Sequence, residues 1–79
     1  MNWNDYIISD KKVLLGKPII KGTRITVEHI LSLFAQGWTE QQILDNYPRL
    51  KIESLNAIFA YLHDCFKDGL LYNNSLKSA

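Results

Sequence analysis

The sequence predicts a mainly α fold of three helices preceded by short β-strands, in which the last two helices form a helix-turn-helix. Three observations predict it. Apolar residues recur at helical spacing in residues 27–35 and again in residues 52–66. Pro48 ends a short helix between these stretches, because a proline moves the residue before it out of the α region. Residues 6–8, Tyr-Ile-Ile, are typical of a strand.

The chain of 79 residues is small enough for one domain with two flanking segments. We expect an N-terminal β arm over residues 1–26, a three-helix domain over residues 27–68 and a polar tail over residues 69–79. A domain near this size buries only about 60 % of its unfolded surface, so its stability is marginal. Because two short strands do not make a stable sheet, we expect a homodimer in which a second chain completes the arm.

The arm contains the strand signals. Residues 6–8 predict a first strand, and β-branched side chains between residues 19 and 25 predict extended chain or a second short strand around residues 24–26. Gly22 is expected to supply a positive φ for the turn between them. The glycines do not follow the order of a phosphate-binding loop, so a nucleotide site of that kind is not expected.

Cap residues predict the bounds of the first two helices. Thr26 caps helix 1, and Gly37 follows its last turn, where glycine adopts the left-handed conformation. Helix 2, about residues 40–46, begins with a capping box in which Thr39 and Gln42 satisfy each other's backbone N–H groups.

Helix 3 is predicted from Lys51 or Ile52 to Phe66, and its first residue is a poor cap. Its spacing predicts a core face and a second, exposed face. The predicted core face comprises Ile52, Leu55, Ile58, Phe59, Leu62, Cys65 and Phe66. The predicted exposed face comprises Glu53, Ser54, Asn56, Ala57, Ala60, Tyr61 and Asp64.

Composition and spacing argue against several function classes. The two histidines and the single cysteine show no metal-ligand spacing, and no catalytic constellation is assembled. We therefore expect no enzyme, no metal site and no cofactor. Apolar runs are too short for a membrane helix, and the N-terminus lacks the features of a signal peptide. Together with Cys65 as the only cysteine, this favours the cytoplasm.

Charge is unevenly distributed along the chain, although the net charge is only +1. Residues 1–24 contain five basic and two acidic residues, whereas residues 25–66 contain two basic and five acidic residues. A basic arm can contact the phosphates of double-stranded DNA. Lysines around turns are equally compatible with plain solvation.

A helix-turn-helix suggests DNA contacts from its second helix and from the arm. The candidate phosphate contacts are Lys17, Lys21, Arg24, Arg49 and Lys51. The candidate base contacts at the start of helix 3 are Ser54 and Asn56. Glu53 argues against this surface, because it would repel phosphates. The alternative is an αα-hairpin that packs for stability alone.

The sequence around the arm resembles a bacterial family catalogued as domain of unknown function 433. Four separated motifs carry the resemblance, in order: Gly-Lys-Pro-Ile-Ile-Lys-Gly-Thr-Arg-Ile at residues 16–25; Gly37, Thr39 and Ile43 at the start of helix 2; Tyr47, Pro48 and Leu50 after it; and Ala-Ile-Phe-Ala-Tyr at residues 57–61, which is similar to the family's Ala-x-x-Tyr run. The resemblance covers roughly residues 5–65. Lys51 departs from the family pattern, which has Ser or Thr before helix 3.

The resemblance implies a homeodomain-like three-helix fold and an antitoxin-like role, with a small nuclease-like toxin as partner. Combined with the helix-turn-helix, it predicts a DNA-binding antitoxin-like protein of a toxin–antitoxin pair. Two other functions are compatible with the residues. One is a protein-docking module that barely contacts DNA, and the other is a stand-alone transcriptional regulator.

Overall fold

The computed structural model describes residues 1–69, so the predicted tail at residues 69–79 lies outside the described residues except for Gly69. Within the described part, the strands are β1 (Ile7–Ile8) and β2 (Ile19–Ile20), and the helices are α1 (Val27–Ala35), α2 (Glu40–Asn46) and α3 (Ile52–Lys67). Single 3-10 turns at Trp3–Asp5 and Leu14–Gly16 lie in the arm. The predicted fold class, mainly α with short N-terminal strands, is confirmed.

The arm forms a small antiparallel sheet in which Ile7 lies opposite Ile20. The second strand comes earlier in the chain than predicted, since residues 24–26 contribute only an isolated bridge between Thr26 and Ile19. Ile19 and Ile20 are both buried, whereas residues 24–26 are partly or fully exposed. Burial therefore favours the isoleucine pair as the strand that faces the core.

The predicted caps of α1 and α2 are confirmed. Thr26 Oγ1 accepts a hydrogen bond from the His29 backbone N–H at 2.9 Å. The Gln42 N–H donates to Thr39 Oγ1 at 3.1 Å, and the Thr39 N–H donates to Gln42 Oε1 at 2.8 Å. Gly37 follows α1 with φ 94°, as a residue after a helix terminus often does. These bonds satisfy N–H groups that a helix leaves unpaired at its start.

The start of α3 is capped from inside the helix. Lys51 is the N-cap residue, and an ammonium group cannot accept a hydrogen bond. The Lys51 N–H instead donates to Ser54 Oγ at 3.2 Å, which is one half of a capping box. The other half is missing because Lys51 has no side-chain oxygen.

The buried face of α3 differs from the prediction. Its buried residues are Ser54, Leu55, Ala57, Ile58 and Cys65. Ile52 and Phe59, which were predicted to face the core, are 40 % and 47 % exposed, and Phe66 is 51 % exposed. The helical period was correct, but the buried stripe is rotated around the helix toward the side that was predicted to be exposed.

The arm causes this rotation, because it covers the predicted exposed side of α3. The Trp3 and Tyr61 rings meet edge to face with centroids 4.8 Å apart. Trp3 Nε1 donates a hydrogen bond to Asp64 Oδ2 at 2.6 Å. Trp3 and Asp64 are 61 positions apart in the chain, so local periodicity could not reveal this contact.

Arm and helices share one hydrophobic core. The largest fully buried side chains are Ile30, Ile43, Leu55 and Ile58, which come from all three helices. Ile7 and Ile20 of the sheet belong to the same cluster of buried residues. The arm is therefore part of the folded unit and not a separate extension.

A strained turn, residues 13–16, connects the strands; we name it the leucine turn. Leu14 and Leu15 have φ values of 49° and 59°, in the left-handed region that non-glycine residues rarely adopt. The Leu15 side chain is 93 % exposed. The Gly16 N–H donates to the Val13 carbonyl at 3.0 Å, so the turn is closed by hydrogen bonding. Backbone strain and solvent exposure therefore coincide at both leucines, most strongly at Leu15.

We expect Leu15→Gly to raise the free energy of unfolding by about 0.5–1 kcal/mol in dilute solution. The left-handed conformation costs leucine about 1–2 kcal/mol, and the greater freedom of glycine in the unfolded chain offsets part of this gain. Urea denaturation measures the change. Lys12→Gly is the control, because Lys12 lies outside the positive-φ residues of the described chain and should gain nothing. A lower midpoint for Leu15→Gly contradicts the strain argument.

We expect Lys51→Ser to stabilise the fold by about 0.5–1 kcal/mol, because serine completes the half-formed capping box with Ser54. The denaturation midpoint should rise with an unchanged slope. Lys67→Ser, at the other end of α3, is the matched control and should not stabilise, because it removes a cation from the negative end of the helix dipole. An unchanged midpoint for Lys51→Ser means that the missing cap costs nothing.

Candidate nucleic-acid interface

A cavity of ≈ 220 Å³ lies at the N-terminal end of α3, between the arm and the α2–α3 turn. It is lined by Asp5, Tyr6, Ile20, Lys21, Gly22, Arg49, Lys51 and Ser54. Local structure explains why three distant segments meet there. Lys21 follows β2, and its N–H donates to the Tyr6 carbonyl at 2.8 Å. Arg49 lies in a turn closed by a hydrogen bond from the Leu50 N–H to the Tyr47 carbonyl at 2.9 Å.

Three cations converge on this cavity: Lys21, Arg49 and Lys51, which we name the basic cluster. All three side chains are exposed, and within residues 1–69 none of them forms an ion pair. Asp5 is the one carboxylate among the lining residues, so the lining carries a positive charge. Like charges that share a concave surface attract anions. The cluster therefore fits a phosphate group.

Two other predicted phosphate contacts lie outside the cavity. Lys17 Nζ is 2.9 Å from Glu28 Oε1, and both side chains are largely exposed. The hydrogen bond from Lys17 and then its charge lower the pKa of Glu28. The pair is therefore formed above the ordinary pKa of a glutamate and is lost as pH falls through the lowered value. Arg24 is exposed just after the turn that contains Gly22, a residue that lines the cavity.

The two predicted base contacts separate in the structure. Ser54 is only 5 % exposed, and its hydroxyl accepts the Lys51 N–H, so the prediction that it faces base edges is wrong. It lies on the side of α3 that the arm covers. Asn56 is exposed, as a base contact requires. Its neighbours on the outward face include Glu53 and Phe59, and α3 has no lysine or arginine before Lys67.

Comparison with known proteins places the chain in a family. The family model matches residues 7–62. The chain belongs to the DUF433 family. The family is described as a protein of unknown function, and the match includes every candidate contact residue from Lys17 to Asn56. The resemblance predicted from the motifs is confirmed. No curated protein and no solved structure matches the chain.

The DUF433 chain has a second polar group that the sequence did not predict. His29 Nε2 and the Tyr47 hydroxyl are 2.8 Å apart, and a shallow cavity of ≈ 360 Å³ beside His29 is lined by Thr26, Glu28 and Ser32. The two residues are 18 positions apart on α1 and in the α2–α3 turn, so no spacing rule links them. The contact joins α1 to the end of α2.

Residues 1–69 contain no group of three or more His, Cys, Asp or Glu side chains arranged to hold a metal ion. None of their helices combines the length and the apolar character that crossing a membrane requires.

Proposed function

We propose that this protein is a small DNA-binding, antitoxin-like protein that acts as a homodimer with a nuclease-like toxin as its partner. The toxin partnership is supported by the resemblance alone. The DNA-binding part is supported by the helix, turn and helix at residues 40–67 and by the charges around them. Such a function belongs in the cytoplasm.

The observation that carries the DNA proposal is the convergence of Lys21, Arg49 and Lys51 at the start of α3. These cations come from the arm and from the turn of the helix-turn-helix, so folding alone assembles them. In helix-turn-helix proteins, the N-terminal end of the second helix approaches the major groove and the flanking segments contact the backbone. The basic cluster lies where such backbone contacts are made.

In this mechanism the phosphates position the protein and Asn56 supplies sequence preference. Arg24, exposed just after the neighbouring turn, adds a fourth phosphate contact from each chain. Asparagine can bind adenine through two hydrogen bonds in the major groove. Lys17 is left out of this count because Glu28 competes with phosphate for it, through an exposed ion pair. Glu53 repels phosphates and limits how far α3 can lie along the backbone.

One observation favours a second function, a protein-docking module with little DNA binding. The outward face of α3 presents Ile52 and Phe59, which are 40 % and 47 % exposed, and it has no cation before Lys67. Phe59 also packs against Phe34 of α1, with ring centroids 5.4 Å apart. An apolar helix face is typical of protein interfaces, whereas DNA-reading helices are usually more basic. A titration of DNA binding at several salt concentrations separates the two functions.

We expect the protein to bind duplex DNA with an affinity that falls steeply with salt. Four cations per chain predict a slope of log K against log salt of about −3 to −4, and at most twice this for a dimer. The measurement is a fluorescence titration of the region upstream of its gene and of a scrambled duplex, at two or more salt concentrations. Addition of the toxin should raise the affinity for the upstream duplex.

If neither duplex binds the folded protein at low salt, with or without the toxin, the DNA proposal fails and the protein-docking module replaces it. A salt slope near zero with measurable binding also contradicts phosphate contact by the basic cluster.

We expect Lys21→Ala to weaken binding to all duplexes and to flatten the salt slope by about one unit. Lys17→Ala is the matched control: the same substitution in the same arm removes a lysine that Glu28 already neutralises. It should change the slope by much less than one unit. Equal losses from the two variants indicate a diffuse attraction of the whole arm, without a specific basic cluster.

A further inference from the structure

The leucine turn exposes apolar surface in a rigid form. Leu15 is 93 % exposed and Leu14 is 42 % exposed, so their side chains contact water. Asp10 holds the approach to the turn: its carboxylate accepts the Lys12 N–H at 2.9 Å, and its carbonyl accepts the Val13 N–H at 2.8 Å. Burial of this exposed leucine in a complex would remove its apolar surface from water and so favour association, although the backbone strain would remain.

The arm also forms a groove with α3. It measures ≈ 370 Å³ and is lined by Trp3, Asn4, Ile7, Ile8, Ser9 and Tyr61; we name it the aromatic groove. Its two rings are fixed, because they meet edge to face and Trp3 donates to Asp64. Burial, and after it the contact with Cys65, raises the pKa of Tyr61, so this ring stays neutral. The groove has room for a leucine side chain.

The leucine turn and the aromatic groove have charges of opposite sign beside them. Lys11 and Lys12 precede the leucine turn, are exposed, and form no ion pair within residues 1–69. Asp64 lies next to the aromatic groove, where one carboxylate oxygen accepts from Trp3 and the other is 3.8 Å from His63 Nδ1. The apolar projection is thus flanked by cations, and a carboxylate borders the apolar groove.

We propose that the leucine turn of one chain inserts into the aromatic groove of a second copy, and that the second copy does the same in return. A two-fold dimer requires both halves of the contact on each chain, and this arm has them. They are adjacent, since the groove includes residues 7–9 and the turn follows at residues 13–16. The attraction of Lys11 and Lys12 to Asp64 then favours this orientation. The proposal rests on the homodimer of the proposed function.

The small sheet also gains from this contact, in addition to the packing of Ile7 and Ile20 in the core. Two strands of two residues each are marginal alone. A second chain that covers Ile8, which is partly exposed, and fills the aromatic groove adds apolar burial directly beside the sheet. The dimer does not depend on DNA binding, because neither Leu15 nor the groove includes a residue of the basic cluster.

Sedimentation velocity over a range of protein concentrations tests the proposal. The wild-type protein should form dimers at micromolar concentration. Leu15→Asp should raise the dissociation constant of the dimer by at least about tenfold, because each dimer loses two buried leucines. Leu15→Gly should also weaken the dimer, although it stabilises the monomer at low concentration. Opposite effects of one substitution on folding and on association are not expected from a general loss of structure.

Two controls make the experiment specific. Gln36→Asp introduces the same acid at an exposed residue after α1, outside the leucine turn, the aromatic groove and the basic cluster, and it should leave the dimer unchanged. Lys11→Glu combined with Lys12→Glu should weaken the dimer most at low salt. A wild-type protein that remains monomeric at high micromolar concentration overturns the proposal, as does a dimer that Leu15→Asp leaves intact or Gln36→Asp disrupts.

Discussion

The packing of the N-terminal arm against α3 determines where every candidate contact residue lies. The edge-to-face contact of Trp3 with Tyr61 and the hydrogen bond from Trp3 to Asp64 fix the arm along the helix. Ile7 and Ile20 enter the core that Leu55 and Ile58 of α3 also occupy. This packing turns Ser54 inward and leaves Asn56 outside. It also brings Lys21 beside Arg49 and Lys51, so the basic cluster depends on it.

The start of α3 shows a conflict between stability and charge. An oxygen-bearing residue at position 51 would complete the capping box with Ser54, whereas Lys51 leaves half of it unformed. A lysine at the positive end of the helix dipole is also mildly unfavourable. The same lysine supplies one of the three cations of the cavity. A residue that weakens the fold locally and completes a cluster is best explained by the cluster.

Sequence-local signals predicted the helices well, because the interactions that set their bounds are themselves local. The bonds of Thr26 and of the Thr39–Gln42 box span only three residues. The orientation of α3 was predicted wrongly for the opposite reason. Periodicity defines an apolar stripe but cannot reveal that a tryptophan about 60 residues away covers the other side. Ser54 was predicted to be exposed for the same reason, because the packing of the arm against α3 was not predicted.

In the candidate site, too, local features could be predicted from the sequence and tertiary contacts could not. Basic residues near the helix-turn-helix could be selected from their type and position, but their grouping depends on tertiary contacts. Lys17 and Lys21 are four residues apart and look alike in the sequence. The fold pairs Lys17 with Glu28 and places Lys21 in the cavity. The strain at Leu15 is likewise invisible in the sequence, because backbone conformation at a turn depends on how the two flanking strands are joined.

Helical geometry determines how the two proposed surfaces lie relative to each other. Ser54 and Tyr61 are seven residues apart on α3, so at 3.6 residues per turn their side chains point within about 20° of each other, whereas Asn56 points about 140° away from Tyr61. The cavity of the basic cluster, which Ser54 lines, and the aromatic groove, which Tyr61 lines, therefore follow one another along the arm-covered side of α3. A second copy seated at the groove would leave the opposite face, with Asn56, exposed. The basic clusters of the two chains would then lie close to the proposed dimer contact, so DNA bound at one cluster would approach the partner chain.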